Sequence, residues 1–199
     1  GDIYQFRVAG NEAAADYDAD WQTALNQMGV MAQKFNDAGN TLVLNAKAHG
    51  WWTPADHIYI LAFDTESNSL FDLKNPSGTK ALNVSATSFT ASQGFTGDGA
   101  ADYIDSQQPA NGQSNYVQDN AGFGIYVRTY AADGLWGGNS FQDLLLCNRD
   151  TSILRINSSN NFDPPTGSAT SGMKAIVRTS SLAVEAFSGS TSLGSSGAN

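Results

Sequence analysis

Between residues 20 and 36, apolar side chains recur every three or four positions, as they do along one face of an amphipathic helix. The positions are Trp21, Ala24, Leu25, Met28, Met31, Ala32 and Phe35. Asp18 or Asp20 suits the N-cap of this helix, and Gly39 suits its end. A second, shorter helix is predicted over residues 41–49, so this part of the chain is interpreted as an αα-hairpin.

From residue 57 onward the apolar positions fall in short runs that are typical of strands and are separated by polar turn residues. The run 57–63 is rich in β-branched and aromatic residues and is interpreted as a buried strand, and a short helical segment is expected within 64–75. Further strands are predicted over 81–84, 88–91, 93–96, 101–105, 123–130, 141–147, 152–156, 173–179 and 182–187. Strands of this length and spacing indicate a sandwich or jelly roll.

Two features of these predicted strands are specific. Gly97-Asp98-Gly99 separates two of them and predicts a tight two-residue hairpin turn, because glycine tolerates positive φ and the Asp98 side chain can accept local backbone N–H groups. The strand 123–130 alternates most regularly. Its pattern places Phe123, Ile125 and Val127 on one face, with Tyr126 and Arg128 on the other.

Four segments give the chain a resemblance to a known family. They are 44–51 after the first helix, 58–63 with 70–74, 95–104 around Gly-Asp-Gly, and 116–129. In this order they resemble tailed-bacteriophage and prophage virion proteins with a concanavalin A-like, or laminin G-like, domain, and the similarity extends over residues 19–188. The fold class that the resemblance implies is mainly β: a concanavalin A-like jelly-roll sandwich preceded by a short N-terminal helical segment.

The same resemblance implies a domain organisation. Residues 1–56 are expected to be a helical segment that packs on or attaches the domain, and residues 57–199 are expected to be the β-sandwich. Members of the family continue into further strands and a closing C-terminal helix. We therefore expect this sandwich to be truncated at its C-terminal end and the chain to be part of a longer polypeptide.

The function that the resemblance implies is that of a non-enzymatic structural component of a phage particle: a tail fibre, baseplate or head-decoration protein. Its lectin-like domain is expected to attach to host-surface polysaccharide. The implied location is the virion, and the implied partners are other virion proteins and further copies of the chain, with a trimer favoured. The alternative is the carbohydrate-binding module of a cellular lectin or of a glycan depolymerase.

The composition limits the classes of molecule that the chain is expected to bind. The 199-residue chain carries a formal net charge of −9 and has a sequence pI near 4.4, with only ten Lys and Arg residues. Nucleic acid is not expected to bind, because affinity for phosphate backbones depends on basic residues. No apolar run approaches the length of a membrane span, so membrane insertion is not expected either. Cys147 is the only cysteine, which excludes an intrachain disulfide.

No catalytic residues are predicted. Asp56-His57 is the only adjacent acid–imidazole pair and is interpreted as part of a helix start, while His49 suits a helix C-terminus. Calcium is the ion that loop carboxylates would hold. The candidates are Asp98, Asp102, Asp105 and Asp119, but no calcium loop of the Asp-x-Asp-x-Asp type occurs, so neither a metal nor a cofactor is predicted.

Glycan binding is the most credible chemistry, because sugar faces stack on aromatic rings while amides and carboxylates bind hydroxyl groups. Trp136 lies in the Gly-rich run 134–140 and is interpreted as a loop residue, with Asn139 close by in sequence. Tyr116 and Tyr130 are the other candidates. The competing interpretation is that Trp136 covers the open end of the core or packs against a neighbouring subunit. Trp51-Trp52 is expected to pack the helices on the sandwich.

Overall fold

A computed structural model describes residues 17–85, 87–98, 100–109, 113–117, 119–129, 135–137, 145–147, 154–156, 171–181 and 183–196, with the backbone alone at 135–137, 145–147, 154, 155 and 196. These residues divide into two compact units. The first contains residues 17–81 together with Phe89–Phe95, and the second contains Leu82–Ser88 and the described residues from Thr96 onward. The predicted division after residue 56 stays a prediction.

Two helices dominate the first unit. Helix α1 (Ala19–Met28) begins at the N-cap Asp18, whose side chain accepts a hydrogen bond from the Asp20 backbone N–H. Helix α2 spans Gln33–Ala48. Their inner faces bury Trp21, Ala24, Val43 and Ala46 in one apolar cluster with Met31, Trp52, Phe63 and Leu73. Two helices are therefore present as predicted, but the apolar run 20–36 is not one helix: Trp21 and Ala24 are buried as expected, whereas Ala32 lies between the helices and is exposed.

The boundary between the two helices is not where the glycines suggested. The first helix ends at Gly29, which has a φ of +85° and donates its N–H to the Leu25 carbonyl. Gly39, predicted as a helix end, lies inside α2 against the Trp21 ring: an added Cβ would lie 2.2 Å from Trp21 Cη2. Its lack of a side chain allows the close approach of the two helices.

The predicted strand 57–63 was wrong. This segment is irregular apart from one bridge, between Tyr59 and Asp72. Side chains bind its amides in place of a partner strand, because Asp72 Oδ1 accepts the Ile58 N–H at 3.1 Å and Ser69 Oγ accepts the Phe63 N–H at 2.9 Å. The expected short helix is present as α3 (Glu66–Ser69), capped by Thr65.

Four short strands follow: β1 (Leu82–Val84), β2 (Ser88–Thr90), β3 (Gly94–Thr96) and β4 (Tyr103–Asp105). The predicted Gly-Asp-Gly hairpin was wrong, since β3 pairs with β2 and β4 pairs with β1. Asp98 Oδ1 accepts the backbone N–H groups of Ala100, Ala101 and Asp102, and these bonds shape a loop in place of a two-residue turn. The expectation that Asp98 binds local backbone donors is confirmed.

The remaining strands are β5 (Ala121–Val127), β6 (Leu135–Gly137), β7 (Leu145–Cys147), β8 (Leu154–Arg155), β9 (Gly172–Ser180), β10 (Ala183–Ser188) and β11 (Thr191–Ser196). Strands β6, β7 and β8 form a three-stranded antiparallel sheet. A four-stranded antiparallel sheet has the order β11-β10-β9-β5. The strands predicted over 173–179 and 182–187 are present as β9 and β10, which pair as an antiparallel hairpin, and β7 pairs with β8.

One face of the four-stranded sheet forms the core of the second unit. Ala121, Ile176, Val184 and Ala186 lie there with Ile156, and Phe123, Ile125 and Leu193 pack against them. The alternation predicted for β5 is confirmed, because Phe123, Ile125 and Val127 are the buried or half-buried positions and Tyr126 is exposed.

The predicted fold class was wrong. The described residues are mixed α/β, with two N-terminal helices, small sheets and one four-stranded antiparallel sheet, and they form no jelly-roll sandwich. The reason is strand pairing, because strands that were expected to be neighbours in one sandwich pair with different partners in separate small sheets. In the described part of the chain, no helix is long and apolar enough to cross a membrane.

Candidate functional site

The second face of the four-stranded sheet is the strongest candidate for a functional surface. Side chains alternate between the two faces of a strand, so the residues opposite the core can be assigned from burial and register. They are Gly122, Gly124, Tyr126, Met173, Ala175, Val177, Glu185 and Phe187. We call this surface the outer face.

The outer face is apolar and yet accessible. The Tyr126 side chain is 70% exposed and Met173 is 43% exposed. Gly122 and Gly124 are also exposed, while Val177 and Phe187 are half-buried. Contiguous apolar surface of this kind on a protein typically marks a place where a ligand or another molecule binds.

Two strands determine the shape of the outer face. Tyr126 on β5 is directly opposite Met173 on β9, and Gly124 is opposite Ala175. The Met173 side chain extends over Gly124, since a Cβ at that glycine would lie 2.6 Å from Met173 Cε. The surface is therefore low at Gly122, where an added Cβ would meet its nearest atom at 3.9 Å, while the Met173 thioether fills the space over Gly124. At one end it carries a tyrosine ring beside a flexible thioether, which can adjust to a bound ligand.

Polar recognition on the outer face comes from Glu185. It is opposite Val177 of β9 and Ser195 of β11, and its side chain is half-buried. An ionised carboxylate has two oxygens that accept hydrogen bonds, so Glu185 can bind hydroxyl groups. The combination of exposed aromatic surface and one carboxylate acceptor fits a hydroxyl-rich, partly apolar ligand.

The glycan-binding residues predicted from sequence are not brought together in the described structure. Tyr116 is half-buried and packs against the core of the second unit, on the side opposite the outer face. Trp136 is the middle residue of β6, opposite Leu146, so its backbone is in a strand and not in the predicted loop. Asn139, Tyr130 and the Trp136 side chain lie outside the described residues, and the glycan role of this set stays a prediction.

The helix start predicted at Asp56-His57 was wrong, because these residues are not helical, and His57 contacts a distant carboxylate, that of Asp72. Its Nδ1 lies 2.7 Å from Asp72 Oδ2, and the Asp72 side chain is almost fully buried. Asp72 Oδ1 also accepts the backbone N–H groups of Ile58 and Lys74. The Asp72 carboxylate thus binds the His57 ring and two backbone amides in the loop region of the first unit. Its role is structural. The sequence contained no signal for it, because 15 residues separate the two partners.

The remaining titratable candidates have local roles. His49 is the C-cap residue of α2, with Nδ1 2.9 Å from the Asn45 carbonyl, as expected for an imidazole at a helix C-terminus. Hydrogen bonds from backbone N–H groups hold the pKa of Asp98 below its usual value. The N–H of Ala100 has the largest effect, and those of Ala101 and Asp102 come next. No group of three His, Cys, Asp or Glu side chains suited to a metal ion occurs among the described residues.

Sequence reasoning found part of the outer face and missed the rest. The alternation in 123–130 placed Tyr126 away from the core, but it could not show that Met173 and Phe187 share the same surface. No family model, no curated protein and no solved structure matches this chain. The function must therefore be argued from the geometry and from the sequence resemblance.

Proposed function

We propose that the protein is a non-enzymatic structural component of a phage particle that attaches to host-surface glycans through the outer face. The order of sequence segments that resembles phage virion proteins supports the location on a particle. The exposed ring of Tyr126, on the same face of β5 as the exposed Gly122 and Gly124, is the observation that carries the attachment role.

The physical basis is the match between this surface and a sugar chain. The apolar face of a sugar ring packs on an aromatic ring, and the exposed Tyr126 ring with Met173 opposite it offers such an apolar surface. Tyr126 and Phe187 are two strands and two residues apart, which is about 12 Å at standard strand spacing. That separation suits an oligosaccharide with two aromatic contacts better than a single sugar, and Glu185 supplies an acceptor for its hydroxyl groups.

Binding to an array of bacterial surface polysaccharides tests the proposal. Tyr126→Ala should weaken binding at least about tenfold, or roughly 1.4 kcal/mol. Its thermal midpoint should stay unchanged, because the side chain is mostly in solvent. Tyr103→Ala is the matched control: this tyrosine is 55% exposed and lies on β4, which belongs to a different sheet. Equal losses in the two variants, or no binding of the wild type to any polysaccharide, would contradict the proposal.

Oligomeric state separates the virion component from the alternative, a carbohydrate-binding module of a cellular lectin or depolymerase. A particle component that attaches to repeating surface glycans gains avidity from several copies, and we propose a homotrimer. Gel filtration with light scattering should give three times the mass of the chain, 21.0 kDa. A monomer that lowers the viscosity of a polysaccharide solution would favour the alternative.

A further inference from the structure

The Met173 thioether lies on the outer face in contact with solvent. The chain has three methionines, and they differ in accessibility. Met173 is 43% exposed, whereas Met31 is 8% exposed and Met28 is half-buried. Because peroxides oxidise thioethers according to their accessibility, Met173 is the methionine that a dissolved oxidant reaches first.

The backbone determines where the Met173 side chain can lie. Strand β9 pairs with β5 there, with Met173 opposite Tyr126, and on the other side the Gly189 N–H donates to the Met173 carbonyl at 2.8 Å. The terminal methyl carbon Cε covers Gly124. An oxygen atom added to the sulfur therefore stays on the outer face, close to Tyr126 and Gly124.

Oxidation would change the chemistry of this part of the outer face. It converts a flexible apolar thioether into a polar, chiral sulfoxide. The neighbouring positions on the same face are Tyr126, Ala175 and Phe187, which offer apolar surface. A sugar ring that packs against these residues would have to remove water from the sulfoxide oxygen of Met173, which costs free energy.

We propose that Met173 is a reversible oxidation site at which peroxides weaken glycan attachment, an inference that rests on the proposed function of the outer face. The sulfur lone pair attacks one oxygen of hydrogen peroxide, so an S–O bond forms and the O–O bond breaks. The hydroxide that leaves takes the proton of the transferred oxygen and becomes water. Sulfur is oxidised by two electrons and the peroxide is reduced. Methionine sulfoxide reductases with a thiol reductant reverse the change, releasing the oxygen as water while two thiols form a disulfide.

Peptide mass spectrometry during a peroxide titration tests the modification itself. Met173 should form its sulfoxide at least about tenfold faster than Met31, because a buried thioether is reached only when the structure opens locally. Circular dichroism checks that the oxidised protein stays folded. A rate at Met173 equal to or below that at Met31 would overturn the oxidation site, whether or not the protein binds glycans.

Polysaccharide binding before and after oxidation tests the regulatory effect. Oxidised wild type should bind about fourfold more weakly or worse, which corresponds to the loss of one buried methylene contact, and treatment with the reductases should restore the affinity. Met173→Leu keeps an apolar side chain of similar volume and should bind equally well with and without peroxide. Met28→Leu is the matched control and should lose affinity on oxidation as the wild type does. Unchanged binding after complete oxidation of Met173, or equal peroxide sensitivity in Met173→Leu, would overturn the proposal.

Failure of this inference and failure of the proposed function give different results. If untreated wild type binds no polysaccharide, the proposed function fails, and retention on a hydrophobic-interaction column then reports on the outer face directly. Oxidation should shorten the retention of wild type and of Met28→Leu more than that of Met173→Leu. Equal changes in retention in the three proteins would overturn the role of Met173.

Discussion

The contact between Gly39 and Trp21 shows how one residue determines the packing of the first unit. Trp21 is fully buried, and its ring makes an edge-on contact with Phe63 at a centroid distance of 5.9 Å. The ring also occupies the space that any side chain at position 39 would need. The glycine is therefore required by the helix–helix contact, although helical propensity alone would favour alanine at this position.

Gly39→Ala should lower the free energy of unfolding by about 2–3 kcal/mol, because overpacking outweighs the gain in helix propensity. Chemical denaturation monitored by tryptophan fluorescence measures the change. Gly122→Ala is the control, since its added Cβ would meet its nearest atom at 3.9 Å, and it should stay within about 0.5 kcal/mol of the wild type. Similar losses in both variants would show that the Trp21 contact is not the cause.

At the scale of elements, Lys47 connects the two helices. Its Nζ lies 2.6 Å from both Asp18 Oδ1 and Asp20 Oδ2, so the end of α2 is joined to the start of α1. The hydrogen bond from Lys47 lowers the pKa of Asp18, and the hydrogen bond to Asp18 raises the pKa of Lys47. Both shifts favour the charged pair in the folded state.

Removal of this connection should have a pH-dependent effect. Lys47→Met should cost about 0.5–1 kcal/mol at pH 7, the upper range for a partly exposed ion pair. Asp18 contributes its stability above its unfolded pKa, about 3.9, and loses it as the pH falls through its lower folded pKa. Lys47 contributes fully below about pH 10.4 and loses its contribution as the pH rises through its higher folded pKa.

The difference in the free energy of unfolding between wild type and Lys47→Met should therefore be largest between about pH 4 and pH 10, and it should decrease below and above this range. Urea denaturation across this range measures it. Lys34→Met, at an exposed lysine that lies over the Phe35 ring, should show a difference independent of acidic pH. A Lys47→Met effect that is constant down to pH 2 would contradict the assigned role of the ion pair.

For the whole molecule, the negative net charge should determine whether neutral or anionic ligands bind more tightly. The chain carries −9 and the outer face itself includes the carboxylate of Glu185, whereas Arg128 just beyond β5 adds a single positive charge. Like charges repel over the Debye length, which is about 10 Å at 0.1 M salt. The protein should consequently bind neutral polysaccharides better than anionic ones at low ionic strength.

A comparison of one neutral and one uronic acid-rich polysaccharide at 50 mM and 500 mM NaCl checks this prediction (both concentrations are roughly half a decade to either side of the physiological range). Affinity for the neutral polymer should change little with salt, while affinity for the anionic polymer should rise as salt screens the repulsion. Tighter binding of the anionic polymer at low salt would contradict it and would point to a local basic site.

Features that depend on near neighbours along the chain were predictable from the amino-acid sequence. The spacing of apolar residues identified the buried helix face around Trp21, and the alternation in β5 placed Tyr126 away from the core. Asp98 was correctly expected to bind backbone donors close to it in sequence. In each case the interacting groups are separated by only a few residues, so the local sequence pattern predicts the contact.

Features that depend on residues distant in sequence became visible only in the folded chain. Asp72 binds His57 and the Ile58 amide in place of a partner strand, Gly39 accommodates Trp21, and β3 pairs with β2 and not with β4. The outer face likewise exists because the register of β5, β9 and β10 aligns residues from separate segments. Each strand can pair with several other strands, and each backbone amide can bind several side chains. Local sequence patterns do not show which of these partners is preferred.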